Sequence, residues 1–118
     1  MSTIREILQK INKIEKVTGS VLSTSEGIII ESLLREGKDD TLQAGIASHK
    51  LTKIKESFAR LDLGGMKQMN LYGANGNQCL FEFNGKFLIV NCHKEANINY
   101  VSIELQPLIE EINKILTK

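Results

Sequence analysis

The apolar positions of this chain change period several times, and each change marks an element. From Ile4, apolar residues recur at Ile7, Leu8, Ile11 and Ile14, the three- and four-residue spacing of one helix face. Ser2 or Thr3 can cap this helix by accepting from the free N–H groups of its first turn. β-Branched residues and glycine take over in "VTGSVL", so the helix is expected to end near Lys16. Two strands follow, Thr18 to Ser23 and Gly27 to Leu33, joined by a tight turn in which Gly27 is free to take positive φ. Three successive isoleucines, Ile28 to Ile30, predict a strand covered on both faces.

"REGKDD" breaks the pattern, and Asp39 or Asp40 can cap a helix that begins at Thr41. Its stripe is Ala47, Leu51, Ile54, Phe58 and Leu61, and Gly64 and Gly65 are expected to end it. Three more strands are predicted at Lys67 to Tyr72, Gln78 to Phe83 and Lys86 to Cys92. "ANGN" and "FNGK" separate them, each with the Asn-Gly pair preferred in two-residue hairpin turns. The last stripe, Val101, Leu105, Leu108, Ile112 and Ile115, is again helical and continues through Pro107. Asn97 is its predicted cap, and a kink is expected near Ile103.

The predicted order is α-β-β-α-β-β-β-α. Hairpin connections make the five-stranded sheet mainly antiparallel, and helices must cover both faces to hide the doubly apolar strands. With 118 residues and no linker or repeat, residues 1–118 read as one α+β domain, an α/β sandwich.

Composition narrows the function classes. A net charge of +1 exerts no global pull on nucleic acid or anionic membrane. The opening "MSTIREILQKINKIEK" has charges through every apolar run, so no signal-peptide h-region is expected. No stretch reaches the ~20 apolar residues of a membrane span. Two cysteines are too few for a disulfide framework, and free thiols suit a reducing cytoplasm.

Candidate chemistry is sparse. No phosphate-loop spacing occurs, and "LGGMKQ" does not supply one. Cys92 and His93 are adjacent and point to opposite strand faces, while Cys79 in "QCLFEF" reads as a small core residue, so no metal or cofactor is expected. His49 sits among Lys50, Lys53 and Lys55 on a solvated helix face without the aromatic platforms of nucleic-acid binders. Glu110 and Glu111 diverge as helix neighbours, and Asp39 and Asp40 read as caps.

Two features instead suggest interaction. "QAGIASHKL" gathers Ala44, Gly45, Ala47 and Ser48, which let a second backbone approach closely, either a partner's or that of the chain's own sheet. The strand "KQMNLY" pairs locally only with the next strand, so one edge is expected to be open.

The strings "VTGSVLSTSEGIIIES", "DDTLQAGIASHKL" and "GKFLIVNCHKEANINYVSIEL" resemble the Roadblock/dynein light-chain family over almost the whole chain. Gly19, Gly27, Ile28, Ser32, Ala44, Ala47, Ala96 and Asn97 stand at the places of its motifs. Asn99 replaces a family glycine, and Pro107 interrupts a helix the family keeps regular. These are motifs of fold, not of an active site. The resemblance implies a homodimer that joins sheet edges and pairs second helices, with Ala44, Ala47, Ser48, Leu51, Met69 and Leu71 in the interface. It also implies a cytoplasmic, non-enzymatic regulator or adaptor that binds a Ras-like small GTPase, without nucleic acid or membrane insertion. The alternative is a structural subunit of a larger motor or signalling assembly. None of Arg5, Arg35 and Arg60 lies in a motif of a catalytic finger. Abundant isoleucine, lysine and asparagine point toward a prokaryotic or archaeal source.

Overall fold

The computed structural model describes residues 2–117. Helix α1 (Ile4–Asn12) starts with a reciprocal cap: Thr3 Oγ1 accepts from the Glu6 N–H, and Glu6 Oε1 accepts from the Thr3 N–H, both at 3.1 Å. It ends earlier than the expected Lys16. Asn12 turns its amide to the sheet, donating to the Leu33 carbonyl at 3.0 Å and accepting from Ser20 Oγ at 2.9 Å. The chain then swings through Lys16 at φ 68° into the first strand.

Strands β1 (Val17–Thr24) and β2 (Ile29–Leu33) form a hairpin. Its loop is Ser25-Glu26-Gly27, closed by the Thr24 N–H donating to the Ile28 carbonyl at 2.9 Å. Gly27 adopts φ 90°, the conformation expected of it. The doubly covered strand is not the one expected. β2 is an edge: Ile28 lies outside it and is exposed, while Ile29 and Ile30 turn to opposite cores and are only half-buried. The strands buried on both faces are β1 and β5, whose Val21 and Leu22, and Leu88 and Ile89, are fully buried.

Helix α2 (Asp40–Arg60) begins one residue before Thr41, with Asp39 accepting from the Leu42 N–H at 3.0 Å. Its end also differs from expectation. Asp62, not Gly64 or Gly65, supplies the left-handed residue (φ 56°). The Leu63 N–H reaches the Phe58 carbonyl at 3.0 Å and the Asp62 N–H the Ala59 carbonyl at 3.2 Å, the two bonds of a Schellman ending. Leu61, expected in the buried stripe, is consequently a cap residue and exposed.

β3 (Gln68–Tyr72), β4 (Asn77–Phe83) and β5 (Lys86–Cys92) complete one antiparallel sheet in the order β2-β1-β5-β4-β3. Asn84 and Gly85, at φ 48° and 73°, make the expected two-residue turn. Asn75 and Gly76 do not. Tyr72 pairs with Asn77, and Gly73 to Gly76 form a four-residue loop closed by the Gly73 N–H on the Gly76 carbonyl at 3.0 Å. α3 (Ile98–Leu116) is capped by Asn97 and runs unbroken past Pro107, which lies on its exposed side.

Two cores result. α1 and α3 bury Ile7, Leu8, Val101 and Leu105 over Leu22, Leu88 and Val90 on one face of the sheet. On the other, α2 packs Ala47 and Leu51 over Val21, Leu80, Phe87 and Ile89. The α-β-β-α-β-β-β-α order and the helix-covered sheet are those predicted. No helix among the described residues is long and apolar enough to cross a membrane.

Candidate functional site

α2 covers only part of its face of the sheet. It lies over β1, β2 and β5. Between it and β3 runs a groove of about 450 Å³, walled by Ile46, Ala47 and Ile54 on the helix and by Met69, Leu71 and Leu80 on the strands. Beyond it, the outer edge of β3 has no strand partner among the described residues. Leu71 is 46% exposed and Tyr72 69%. One turn apart on α2, Leu42 and Ile46 are also exposed, and Lys50 stands at the rim. Exposed apolar side chains gathered around an unpaired edge make this the candidate site, since such edges and patches need a cover or a partner.

The six residues singled out from the sequence fall into two groups. Ala47, Met69 and Leu71 line the groove. Ala44 and Leu51 are fully buried, and Ser48 is half-buried with its hydroxyl donating to the Ser25 carbonyl at 2.7 Å. The reason lies in how close α2 comes to the β1–β2 hairpin. A Cβ at Gly27 would sit in van der Waals contact, 3.4 Å from both the Ala44 carbonyl oxygen and Ser48 Cβ, so the turn packs directly on the helix, and its φ of 90° is what favours glycine. Gly45 is the exception, since a Cβ there would meet nothing within 4 Å.

The groove residues not foreseen are Ile46, Ile54 and Leu80, with Leu42 exposed one turn before Ile46. Leu42 and Ile46 form a second apolar stripe, offset from the buried one by a third of a turn. That stripe was the available signal, hidden because Ala47 and Leu51 already accounted for a helix face.

The titratable groups offer little reactive chemistry. Cys79 and Cys92 are buried on neighbouring strands, and the Cys79 thiol is pushed well up by its hydrogen bond to Cys92 and by burial. Among the described residues no group of three or more His, Cys, Asp or Glu side chains has metal-ligand geometry. His49 is exposed, and His93 Nδ1 accepts from the Glu95 N–H at 3.1 Å.

No protein-family model matches the chain. Two uncharacterised proteins of Methanocaldococcus jannaschii are similar to it, at 24% and 23% identity over 109 residues, covering 92% of this chain and 96% of each relative. Among solved structures, a Roadblock/LC7 domain from Streptomyces avermitilis superposes with a TM-score of 0.89 at 17% identity, over 99% of this chain and all of that one. MglB of Myxococcus xanthus superposes with a TM-score of 0.90 at 15% identity, covering 97% of this chain and 94% of the other. MglC of the same organism gives 0.62 at 15% identity, over 92% and 95%. The fold of this chain is that of the Roadblock/LC7 domains and of MglB.

Proposed function

We propose that this protein is a small homodimeric regulator or adaptor that docks a Ras-like small GTPase and positions the GTPase's own residues. One observation carries the reading: an apolar groove opens directly beside an unpaired sheet edge. A second copy related by a two-fold axis satisfies both needs at once. Antiparallel pairing of β3 with the partner's β3 would continue the sheet, and the exposed α2 stripe, Leu42 and Ile46, would cover the groove. The resemblance of the fold to MglB supports a regulatory role, and the sequence motifs of the Roadblock/dynein light-chain family point to a GTPase as partner.

Phosphoryl transfer depends on positioning and charge stabilisation, which a docked protein can improve without reacting groups of its own. Arg5, Arg35 and Arg60 are all exposed, on α1, in the loop after β2 and at the end of α2. Stimulation is expected to survive replacing each with alanine.

Light scattering should return about twice the 13.2 kDa chain mass. Single-turnover GTP hydrolysis by a Ras-like GTPase of the same genome, with and without this protein, tests the partner. Binding with accelerated hydrolysis supports a regulator. Binding with unchanged turnover makes it a scaffold, and no binding to either nucleotide state removes the GTPase from the proposal.

A further inference from the structure

A second cavity, of about 440 Å³, lies at one end of the sheet on the α2 side. Its floor is the beginning of β1 and β4 and the end of β5, and its walls are the segment after β2 and the β3–β4 loop. It meets the apolar groove at Gln43, Leu71 and Gln78 but differs from it in chemistry.

Three of its lining residues, Arg35, Lys38 and His93, are basic, and among the described residues no carboxylate lines it. Arg35 and Lys38 make no ion pair among the described residues. The nearby acids are engaged elsewhere: Asp39 caps α2, and Asp40 accepts from Ser32 Oγ at 2.6 Å. Glu36, between the two cations in sequence, is exposed and does not line the cavity. Unneutralised cations around a cleft focus its field toward an anion.

The floor is unusual for a sheet face. Along the same face Ile89 and Leu80 are buried apolar residues, yet the next positions are Asn91 and Gln78. They form a directed chain with α2: Gln78 Nε2 donates to Asn91 Oδ1, and Asn91 Nδ2 donates to Gln43 Oε1, each at 2.8 Å. The chain leaves an acceptor, Gln78 Oε1, at one end and a donor, Gln43 Nε2, at the other. The two ends stand three amide groups apart, so each offers a single hydrogen-bonding group to a polar ligand. His93 accepts at Nδ1 from the Glu95 N–H, which leaves Nε2–H as a further donor. Tyr72 offers an aromatic face at the rim.

The wall is held close by two glycines. A Cβ on Gly73 would come within 2.8 Å of the Gly76 carbonyl oxygen, and one on Gly76 within 3.3 Å of the Cys92 carbonyl oxygen. The β3–β4 loop therefore folds tightly against the end of β5 and keeps the cavity concave. Its volume lies within the roughly 300–1,000 Å³ of small-molecule sites.

We propose that this cavity binds a mononucleotide, with Arg35 and Lys38 holding the phosphate, an amide at one end of the Gln43–Asn91–Gln78 chain hydrogen-bonding a polar atom of the base, and Tyr72 stacking on its face. The proposal is independent of any GTPase partner, and it is tested on this protein alone.

The experiment is titration calorimetry of the full chain with AMP, GMP, CMP and UMP, and with inorganic phosphate, adenosine and guanosine as part-ligands. At least one mononucleotide is expected to bind with one site per chain and to raise the melting temperature. Phosphate and nucleosides should bind at least tenfold more weakly. Arg35→Ala with Lys38→Ala should weaken nucleotide binding at least tenfold while leaving the unliganded melting temperature unchanged, since both residues are exposed. Tyr72→Ala should weaken it less, and Lys114→Ala on α3 not at all. Absence of binding by every mononucleotide at millimolar concentration overturns the proposal. So does equal affinity for inorganic phosphate, or undiminished affinity in both the double variant and Tyr72→Ala.

Discussion

The two faces of the sheet are covered in different ways. On one, α1 and α3 lie side by side and close the face with Ile7, Leu8, Ile11, Val101, Leu105 and Ile112, all fully buried. On the other, α2 lies alone over the β2–β1–β5 half and leaves β3 and part of β4 uncovered. The two edges follow the same division. β2 is tied to α1 through the Asn12–Leu33 bond and the Arg5–Glu31 ion pair at 3.1 Å, and all its residues are half-buried. β3 ends in exposed Leu71 and Tyr72. A sheet needs only one well-sealed face to be stable. The second can be left partly open, and both cavities of functional interest lie there.

Four experiments test this contrast. The largest effect is expected on the sealed face. Leu105→Ala removes a fully buried side chain from the α1–α3 core and should cost about 2–5 kcal/mol in urea unfolding. Its self-association at temperatures where it stays folded should be unchanged. If Leu105→Ala monomerises the folded protein instead, the division between a structural and an interactive face fails.

Next is Leu71→Lys on the open edge. It places a charge in the groove beside the unpaired strand and should weaken self-association by about 2 kcal/mol, roughly 30-fold, as measured by sedimentation equilibrium. The monomer's own stability should move by no more than about 0.5 kcal/mol, as for an ordinary surface substitution. An unaltered dimer would place the interface away from β3.

Asp39→Ala deletes the cap of the single helix on the open face and should lower stability by about 1 kcal/mol. The groove depends on where α2 sits, so Asp39→Ala should also weaken self-association slightly. Thr3→Ala, the equivalent change on the sealed face, should cost a similar amount of stability without that second effect.

The smallest effect is in acid. Glu6 is held below its usual 4.5 by hydrogen bonds from the Thr3 backbone and then the Thr3 side chain, and Asp40 below its usual 3.8, first by the bond from Ser32. A carboxyl depressed in the folded state adds stability above its unfolded value, and that stability is lost as pH falls through the folded value. Melting temperature should therefore decline below about pH 4, and less steeply in Ser32→Ala and Thr3→Ala, each of which starts lower at neutral pH. Parallel acid profiles in wild type and both variants would show that neither bond contributes.

The predictable parts of the fold are those with local causes. Thr3, Asp39 and Asn97 cap the three helices because a side-chain oxygen meets an N–H only two or three residues away. Asn84-Gly85 makes its turn because two adjacent residues tolerate positive φ. Of the candidate site, the open β3 edge was readable from strand order, since the strand follows a helix and has one local partner, while Met69 and Leu71 came from the family resemblance. Ala44 and Ser48 were readable as unusual small residues but not as to what approaches them. Their neighbour, the Ser25–Gly27 turn, lies about twenty positions earlier in the chain.

The dipeptide Asn-Gly shows where sequence stops deciding. At Asn84-Gly85 it forms a two-residue turn. At Asn75-Gly76 that turn would pair Ala74 with Asn77 and Leu71 with Leu80; instead Tyr72 pairs with Asn77 and Leu71 with Gln78. The two registers differ by two residues, so every side chain keeps its face and the apolar pattern cannot choose between them. The choice rests on Asn77, whose side chain donates to the Lys94 carbonyl at 3.1 Å, and on Gly76, which abuts the Cys92 carbonyl. By itself the sequence determined which segments are helices and strands, because periodicity, caps and turn residues act over a few positions. Which strands became edges, which register β3 adopted and which apolar residues stayed exposed were decided by contacts between distant segments, whose energies enter only when the sheet and its helices are assembled.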